Sequence, residues 1–365
     1  MNIQTTKSNI LNTLKIVEKA VRNRATMPIL GNVLIKAHDG MVTLVTTNLD
    51  IYLSAQCKAK TEQNGEITLP CKKLSQIIGS LPSENLEINL DKLTVTITSG
   101  ESTFKISGIS ADEFPKIPEI NAEPLNIKSE DLKQLLVSTK ASASTDENRY
   151  VLNSVLIHEE NNKLIGVATD GRRLALAEKD SIGEIGNTII PAASIDGLIN
   201  VLGCAEQSKL RTSNKALNLT TQDEEGCTTI IHSKVVEGNY PNYKQVIPKN
   251  YEDRLKVNKE EITHVIQRAA LILSEKNNSI KLTFQKDGTI RIQANSAEYG
   301  VFDESFKTEG ELLQEIQVSL NPEFILCGLA SAPDKEINIL CKDELSPVLI
   351  KCPGYLQVIM PLRLN

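Results

Sequence analysis

One short stretch of the sequence has the residue types of a phosphate-binding loop. Gly166 and Gly171 enclose four residues in the run GVATDG, and two arginines follow. A phosphate-cradling loop needs Lys and then Ser or Thr after the second glycine, because backbone amides, an ammonium group and a metal-binding hydroxyl act together. Arg172 and Arg173 stand there instead. We therefore exclude a phosphate loop and look for another role for this stretch.

No other set of residues has the spacing of a catalytic or metal site. The seven cysteines form no CxxC pair, and their odd number leaves no closed disulfide framework, so we interpret them as buried thiols. The four histidines lack the i,i+4 spacing of a metal site, and we interpret them as surface histidines or as histidines hydrogen-bonded within the fold. Paired acids such as Glu159-Glu160 and Glu260-Glu261 fit solvated turns or helix starts. The sequence predicts no enzyme, no metal and no cofactor.

Composition limits the classes of partner. The chain has 365 residues, 40% of them apolar, and a formal net charge of -6. Its pI near 5.5 argues against a protein that holds nucleic acid by bulk electrostatics, so any DNA contact must be local. The segment MNIQTTKSNI lacks the basic and apolar regions of a signal peptide, and no apolar run approaches the length of a membrane span. These features predict a cytoplasmic protein with no membrane contact.

The chain contains one unit written three times. Stretches opening at Ile3, Leu125 and Leu255 each read as a short strand followed by an amphipathic helix. Apolar residues recur at matched offsets in these helices: Ile10, Leu132 and Ile262 first, then Leu14, Leu136 and Ile266. The repeat predicts three tandem domains.

The following segments repeat as well. From Val33, Val155 and Ile280, two apolar strands flank a polar turn and reach Asn48, Asp170 or Asn295 at the same offset. A second helix then follows a Pro or Asn, with matched apolar positions Leu74/Ile77/Ile78, Ile195/Leu198/Ile199 and Ile325/Leu329. Aromatic-proline pairs close the first two units. We place the domains at 1–121, 122–249 and 250–365, each an α+β domain of two helices packed on antiparallel sheets.

Charge is distributed unevenly within the units. The first helix and the loop after it carry five basic residues from Lys7 to Arg24 against Glu18 alone, in a protein that is acidic as a whole. Solvated helix faces often carry Lys, so a single residue is weak evidence. Helices that share a basic bias fit a polyanion on one side of a curved scaffold.

Several motifs resemble one family from end to end. The segments RATMPILGN (24–32), VATDGRRLAL (167–176), SKVVEGNYPNYKQVIPKN (233–250), RAALILSEK (268–276) and MPLRLN (360–365) closely resemble the bacterial DNA polymerase III beta subunit, the replicative sliding clamp. The resemblance implies a head-to-tail homodimer, a six-domain ring that encircles duplex DNA without reading its sequence and confers processivity on the replicative polymerase. Implied partners are a clamp loader complex, the replicative polymerase alpha subunit, other DNA polymerases, and mismatch-repair and ligase-type proteins that carry clamp-binding peptides.

The resemblance also assigns residues. A peptide pocket between the second and third domains would be formed by Leu152, Thr169, Gly171, Arg172, Arg173, Leu174, Pro241, Val246, Val358, Met360, Pro361, Leu362 and Arg363. The matching first-domain turn, TTNLD, lacks both the Gly-Arg-Arg sequence and the C-terminal wall, so we expect one pocket per chain.

Contacts with DNA and between subunits follow from the same resemblance. Arg24, Arg149, Tyr150 and Lys244 would contact DNA. At the dimer interface, Phe104 and Ile106 would face Leu271 and Ile272, with Lys73 and Lys105 opposite Glu298, Asp303 and Glu304.

The sequence departs from the family pattern at two pocket positions, and two other functions remain open. Arg172 stands where well-known members have histidine, and Asn277 where some have phenylalanine, so the pocket rim is expected to prefer somewhat different peptides. One alternative is a repeat-built scaffold that binds peptides and never encircles DNA. The other is a hydrolase whose site has no recognisable motif.

Overall fold

The structure is a computed structural model, and it describes residues 1–21, 27–249, 251, 254–274 and 278–362. Within these residues the α-helices come in three pairs, one pair for each predicted unit. They are α1 (Lys7–Val17), α2 (Cys71–Ser80), α3 (Ser129–Lys140), α4 (Ala192–Leu202), α5 (Lys259–Ala270) and α6 (Pro322–Ser331). None of the helices in the described part of the chain is both long and apolar enough to cross a membrane.

Strands make up most of the remaining ordered chain. The first unit contains β1 (Asn2–Thr6), β2 (Asn32–His38), β3 (Met41–Thr47), β4 (Ile51–Lys58), β5 (Lys60–Gln63), β6 (Gly65–Pro70), β7 (Asn85–Asp91), β8 (Thr94–Ser99) and β9 (Ser102–Ser107). The second contains β10 (Leu125–Lys128), β11 (Ser154–Glu160), β12 (Lys163–Thr169), β13 (Arg173–Asp180), β14 (Thr188–Pro191), β15 (Gln207–Thr212), β16 (Ala216–Gln222) and β17 (Thr228–Lys234). The third contains β18 (Arg254–Asn258), β19 (Ile280–Phe284), β20 (Thr289–Ser296), β21 (Gly300–Lys307), β22 (Ile316–Leu320), β23 (Glu336–Leu340), β24 (Val348–Cys352) and β25 (Tyr355–Ile359).

All recorded strand pairs are antiparallel, and they form four sheets. Two sheets have eight strands each, in the orders β10-β15-β16-β17-β4-β3-β2-β6 and β14-β11-β12-β13-β25-β24-β23-β18. The smaller sheets have the orders β5-β1-β7-β8-β9 and β21-β20-β19-β22. Strands at equivalent positions of the repeats have equivalent partners. β4 of the first repeat pairs with β17 of the second, and β13 of the second pairs with β25 of the third. These findings confirm the predicted fold class of helices packed on antiparallel sheets.

The helices form where the repeat predicts them, and their first turns are capped. Side-chain oxygens of Thr6, Asn258 and Asn321 accept hydrogen bonds from backbone N–H groups at the starts of α1, α5 and α6. Such caps satisfy amide groups that have no partner inside the helix. All six apolar positions matched across the first helices are buried: Ile10, Leu14, Leu132, Leu136, Ile262 and Ile266. The helix repeat in the sequence therefore marks the core-facing stripe.

Two details of the predicted repeat are wrong. Asn295 does not lie in the turn that Asn48 and Asp170 occupy, because it belongs to β20 and pairs with Val301. Ser296 supplies the side-chain acceptor there instead, for the N–H groups of Glu298 and Tyr299. Ile77 in the second helix is only half-buried, since Leu74 and Ile78 take the inner face.

The chain divides into two compact units that cut across the middle repeat. One unit comprises Met1–Lys133 with Ala193–Val235, and the other Gln134–Ala192 with Val236–Asn365. The division arises because β10 and β15 to β17 continue a sheet begun by the first repeat, whereas β11 to β14 continue a sheet completed by the third. Sequence repeats and compact units thus divide this chain differently, and the boundaries at 121 and 249 stay a prediction.

Candidate functional site

The turn between β12 and β13 is held by two side chains. Oδ1 of Asp170 accepts hydrogen bonds from the backbone N–H groups of Arg172 at 2.8 Å and Arg173 at 3.0 Å. The Thr169 hydroxyl accepts from the N–H of Gly171 at 3.1 Å and donates to the Arg173 carbonyl at 2.6 Å. Gly171 has a φ of +90°, where a side chain would be strained. The turn is therefore preorganised before a partner binds.

The two glycines of the apparent phosphate loop serve other purposes. Gly166 lies inside β12, and a Cβ there would stand 2.2 Å from Cδ2 of Leu135, so a side chain would collide with α3. Gly171 gives the turn its conformation. A strand precedes the turn and another strand follows it, whereas a phosphate loop opens into a helix.

The two arginines of the turn have different environments. Nε of Arg173 lies 3.0 Å from Oδ2 of Asp170, with only 14% and 18% of these side chains exposed. The Arg173 guanidinium also stacks on Phe324, with its central carbon 4.6 Å from the ring centre. Arg172 is exposed. Arg173 is thus held in place by Asp170 and Phe324. The guanidinium of Arg172 is exposed at the surface of the turn.

The C-terminal segment runs beside this turn. β25 pairs with β13 so that Ile359 lies opposite Arg173 and Val358 opposite Leu174. The Met360 N–H continues the pairing by donating to the Arg172 carbonyl at 2.9 Å, and the Leu362 N–H donates to the Ser319 carbonyl at 2.8 Å. The Met360 side chain is 42% exposed, and Pro361 is half-buried. Arg363 lies outside the described residues.

The floor beneath the turn is apolar. Leu174 and Val358 belong to a buried cluster with Leu156, Ile165, Val167, Leu176, Ile189, Tyr243 and Leu349. Half-buried apolar residues, among them Val151, Tyr240 and Ile247, pack against this cluster. The turn thus rests on a tightly packed apolar core, and its partly exposed apolar neighbours are Met360 and Pro361.

The remaining predicted pocket residues surround the same cluster less closely. Leu152 is half-buried, and its N–H donates to the Arg149 carbonyl at 2.8 Å. Pro241 is exposed and lines a cavity of about 370 Å³ together with Leu156 and Tyr240. Val246 is exposed next to the 3-10 helix Tyr243–Gln245. No hydrogen bond between described residues joins Pro241 or Val246 to the Asp170 turn.

Two tyrosines and a histidine give the cavity beside Pro241 its chemistry. Nε2 of His158 lies 2.9 Å from the Tyr243 hydroxyl, and burial lowers the pKa of His158. Burial also raises the pKa of Tyr243 to about 12. The Tyr240 hydroxyl is shielded from solvent and has no well-formed hydrogen bond to a described residue, and burial raises its pKa well above the usual range. These three groups are neutral near pH 7, so the charged residues of the cavity wall are Glu159, Glu160 and Lys244.

The predicted DNA-binding residues differ in their environments. Nη1 of Arg149 donates to the Asp170 carbonyl at 2.8 Å, which places an expected DNA contact against the turn. Tyr150 is exposed, and Lys244 is exposed but pairs with Glu160. Arg24 lies outside the described residues. The structure therefore brings Arg149 to the predicted peptide pocket, which the sequence did not indicate.

The matching turn of the first repeat has the same hydrogen bonds. Oδ1 of Asn48 accepts from the N–H groups of Asp50 at 3.0 Å and Ile51 at 2.8 Å. A strand also runs beside this turn, because the Lys234 N–H at the end of β17 donates to the Asp50 carbonyl at 2.9 Å. The strand beside this turn is thus β17, whereas the strand beside the Asp170 turn leads into the C-terminal segment. The first-repeat turn also lacks the Gly-Arg-Arg sequence, and a single peptide pocket per chain stays a prediction.

Five of the nine predicted dimer residues lie on two strands that each form the edge of a sheet. Phe104, Lys105 and Ile106 lie on β9, and Asp303 and Glu304 lie on β21. Leu271, just after α5, is 82% exposed, and Ile272 is half-buried. Lys73, near the start of α2, and Glu298, between β20 and β21, are exposed. These edges carry unpaired backbone groups and apolar side chains in the isolated chain.

Two of the predicted interface acids already have partners within the chain. Glu304 forms an ion pair with Arg268 at 2.5 Å, and Asp303 pairs with Arg291. The side-chain hydrogen bond from Arg291 holds the pKa of Asp303 below its usual range. Glu298 forms no ion pair with a residue that the structure describes. In the predicted interface Lys73 and Lys105 would face Asp303 and Glu304, whose charges are partly neutralised within the chain. Among the three predicted acids, Glu298 has no such ion pair with a described residue.

Comparison with known proteins identifies the family. Models for the N-terminal, central and C-terminal domains of the DNA polymerase III beta subunit match residues 1–118, 126–242 and 244–363 in that order. The chain belongs to the DNA polymerase III beta subunit family. It is 29% identical to the beta sliding clamp of Bacillus subtilis, with all of both chains covered. The solved B. subtilis sliding clamp has a TM-score of 0.94 at 28% identity, and the Pseudomonas aeruginosa subunit has 0.91 at 26%, each with full coverage.

The structure places two residues near the Asp170 turn that the sequence analysis did not assign to the predicted pocket. Phe324 stacks on Arg173 but lies far from the VATDGRRLAL motif in sequence. Tyr240 packs on the apolar floor and precedes Pro241, which the sequence did indicate. The aromatic-proline pair at 240–241 was a usable signal for Tyr240. Nothing in the local sequence of α6 marks Phe324.

Proposed function

We propose that this chain is a DNA sliding clamp: a homodimer that closes a six-domain ring around duplex DNA and confers processivity on the replicative polymerase. The observation that carries this proposal is the match of three clamp-domain models in order along the chain. Sliding clamps are processivity factors and not enzymes, so we expect no chemistry and no cofactor from the chain. Its place of action would be the cytoplasm.

The repeat supports closure through two of the sheet edges, β9 and β21. The fourth strand of the first repeat, β4, pairs with the last strand of the second, β17. In the same way β13 of the second repeat pairs with β25 of the third. The remaining members of these two series, β21 and β9, each lie at a sheet edge. A second copy would complete the series by pairing its β9 with β21, and two such contacts close a twofold ring.

Apolar side chains add to this closure. Leu271 and Val301 are 82% and 70% exposed, and Phe104 on β9 is also exposed. Isolated large apolar side chains are common on protein surfaces, but these lie on or near the open edges. Burying such a side chain contributes roughly 1.5–3 kcal/mol. The backbone pairing and these contacts together support a stable dimer.

We further propose that partner proteins insert a short peptide beside the Asp170 turn. The apolar floor below Leu174 and Val358 would take leucine and aromatic side chains, and the exposed Met360 would repack against different partners. The clamp loader complex, the replicative polymerase alpha subunit, other polymerases, and mismatch-repair and ligase-type proteins would share this one site. Their binding would therefore be mutually exclusive on each chain.

DNA contacts would be made to phosphates and would carry no sequence information. Arg149 and Lys244 are exposed cations, and Tyr150 lies next to Arg149. The net charge of -6 fits this arrangement, since a ring is retained by topology and strong phosphate binding would slow its sliding. Changing Arg149 or Lys244 to Ala should weaken loading and reduce the salt dependence by a slope of about 0.9 per lost contact.

Retention on circular DNA tests the proposed function. The protein is loaded onto a nicked circular plasmid by a clamp loader, separated from free protein by gel filtration, and then treated with a restriction enzyme that cuts the plasmid once. A ring should stay on the circle and leave after linearisation. Equal retention on linear and circular DNA would contradict encirclement and favour a scaffold that binds DNA directly. A marked base-sequence preference would contradict the phosphate contacts.

A further inference from the structure

Two cysteines from distant parts of the sequence lie on neighbouring strands. Cys57 belongs to β4, and Cys227 directly precedes β17. The register pairs Ile51 with Ser233, Leu53 with Ile231 and Ala55 with Thr229. One further step of the same alternation places Cys227 opposite Cys57. The fold therefore brings near each other two thiols that the sequence gives no reason to connect.

Side-chain contacts show that the two chains stay adjacent beyond the last ladder pair. Oε1 of Gln56 accepts a hydrogen bond from the Thr228 N–H at 3.1 Å. Nζ of Lys58 lies 3.3 Å from Oε2 of Glu225. These two contacts lie on either side of the Cys57–Cys227 position. The two chain segments thus remain neighbours at the Cys57–Cys227 position, where the regular ladder has ended.

A continued ladder would place the cysteines in the kind of pair in which side chains come closest. The Lys234 N–H donates to the Asp50 carbonyl at 2.9 Å, so these two residues form a hydrogen-bonded pair. Hydrogen-bonded and non-hydrogen-bonded pairs alternate in an antiparallel ladder, so the position of Cys57 and Cys227 corresponds to a non-hydrogen-bonded pair. In a regular ladder such pairs have Cα atoms about 4.5 Å apart, within the range of about 4.4–6.8 Å that a disulfide needs.

Both thiols lie on the side of the sheet that packs against helices. On that side, the Ser233 hydroxyl is 2.7 Å from the Ser194 hydroxyl of α4, and Cys57 lies beside Thr13 of α1. Both cysteines are buried and unbridged in this structure. A third thiol, Cys204, lies beside Thr229 and is the nearest competitor that the structure shows.

We propose that Cys57 and Cys227 form an oxidation site, in which a small-molecule disulfide such as oxidised glutathione converts the two thiols into a cross-strand disulfide. The Cys227 thiolate attacks the glutathione disulfide, forms a mixed disulfide and releases one glutathione thiolate. The Cys57 thiolate then attacks Sγ of Cys227 and releases the second glutathione. Two electrons and two protons leave the protein, and one glutathione disulfide becomes two glutathione molecules.

The bridge would join the first and second repeats where their shared ladder ends. β4 comes from the first repeat and β17 from the second, and their regular pairing stops at Ala55 and Thr229. A covalent link at this place would prevent the two strands from separating from that end. It would also restrict the unfolded chain, because the bridged residues are far apart in sequence.

Burial makes this reaction slow at neutral pH. Burial raises the pKa of Cys57 to about 11, and burial followed by the charges of Asp223 and Glu225 raises that of Cys227. Because the thiolate is the attacking species, the rate of bridge formation should rise with pH across the range below these pKa values. The site would therefore respond to sustained oxidation and not to a brief exposure.

Mass spectrometry of the oxidised full-length protein tests the proposal directly. The native protein is incubated with oxidised glutathione, denatured, treated with iodoacetamide and digested without reductant. The expected product is a disulfide-linked peptide pair containing Cys57 and Cys227, with the other five of the seven cysteines alkylated. Dithiothreitol should restore seven alkylated cysteines. The melting temperature of the oxidised protein should exceed that of the reduced protein.

Single substitutions provide the controls. Cys57→Ser and Cys227→Ser should each abolish the linked peptide and the increase in melting temperature, whereas Cys71→Ser changes a buried cysteine elsewhere in the fold and should leave both unchanged. A predominant Cys204–Cys227 peptide would overturn the assignment. So would complete alkylation of all seven cysteines after prolonged oxidation at alkaline pH. Both results come from the wild-type protein and do not depend on the folding of a variant.

Discussion

Asp170 provides the sharpest test of the peptide pocket. Its carboxylate accepts two backbone N–H bonds, at 2.8 and 3.0 Å, and binds Nε of Arg173 at 3.0 Å. Asp170→Ala removes all three interactions but leaves the apolar floor in place. We therefore expect the turn to lose its shape while the cluster below it stays packed.

The size of the effect follows from these bonds. A hydrogen bond to a charged group contributes about 1.5–3 kcal/mol, and three that share one side chain are not additive. We take about 2–4 kcal/mol as the loss of local turn stability. A partner that needs the ordered turn must restore it on binding, so its apparent dissociation constant rises as the competent fraction falls. At least about tenfold weaker peptide binding, or about 1.4 kcal/mol, should result.

Fluorescence anisotropy with a labelled peptide of glutamine, leucine and aromatic residues measures this change. Asn48→Ala is the matched control, because it removes the same two backbone bonds from the equivalent turn of the first repeat. It should leave peptide affinity unchanged. Asp170→Asn, which keeps an amide oxygen for the backbone but loses the charge beside Arg173, should be intermediate. Wild-type affinity in a folded Asp170→Ala protein would refute the role of this turn, and an equal loss in Asn48→Ala would show a general destabilisation.

Three further predictions concern the dimer, the C-terminus and pH. Replacing Leu271 and Ile272 with Ala should raise the dimer dissociation constant more than tenfold, since one buried anchor contributes roughly 1.5–3 kcal/mol. Sedimentation at nanomolar concentration measures this dissociation constant, and replacement of the exposed Leu345 with Ala is the control. A double variant that remains a dimer would contradict the interface. Deleting residues 360–365 should weaken clamp loader and polymerase peptides alike by at least about tenfold, as anisotropy would show, while sedimentation should still show a dimer. Burial lowers the pKa of both His158 and His232, so protonation opposes folding: the free energy of unfolding should be highest above the ordinary histidine value and fall as pH drops through the lowered pKa values. Urea unfolding at about pH 7.5 and about pH 5 measures this loss, which His232→Gln should reduce; an unchanged pH dependence in that variant would argue against His232 as a source.

The repeated elements were predictable because each copy needs the same core-facing residues. The helix positions at Ile10, Leu132 and Ile262 are all buried, as their matched offsets indicated. The hairpins after Val33 and Val155 also follow the repeat. Short-range patterns of this kind are set by the period of the helix and the strand. The same apolar pattern is found in each repeat because each repeat must bury one face of its helices and strands.

Contacts between distant segments were not predictable in the same way. The stacking of Arg173 on Phe324 and the nearness of Cys57 to Cys227 depend on which strands and helices become neighbours. Nothing in the local sequence shows that choice. The failure at Asn295 has another cause, since a shift of one residue in the third turn moves the acceptor role to Ser296. Equal spacing from the start of a hairpin does not guarantee an equal place at its end.

The two equivalent turns differ in ways that support peptide binding at only one of them. The backbone hydrogen bonds of the two turns match. The Lys234 N–H donates to the Asp50 carbonyl, and the Met360 N–H donates to the Arg172 carbonyl. At the second turn position, Leu49 adopts a φ of 74° where Gly171 has 90°, so a bulky side chain stands where the other turn leaves space.

The next position differs as well. Nζ of Lys234 lies 3.1 Å from Oδ1 of Asp50, so an ion pair covers the first-repeat turn. The corresponding residues beside the second turn are Arg172 and Met360, which are both exposed. Met360 has no charge, so it does not neutralise the arginine. One scaffold thus gives a turn covered by Leu49 and an ion pair in the first repeat, and a turn with an exposed cation and an exposed apolar side chain in the second. These three side-chain differences on a similarly bonded backbone support the proposal of a single pocket per chain.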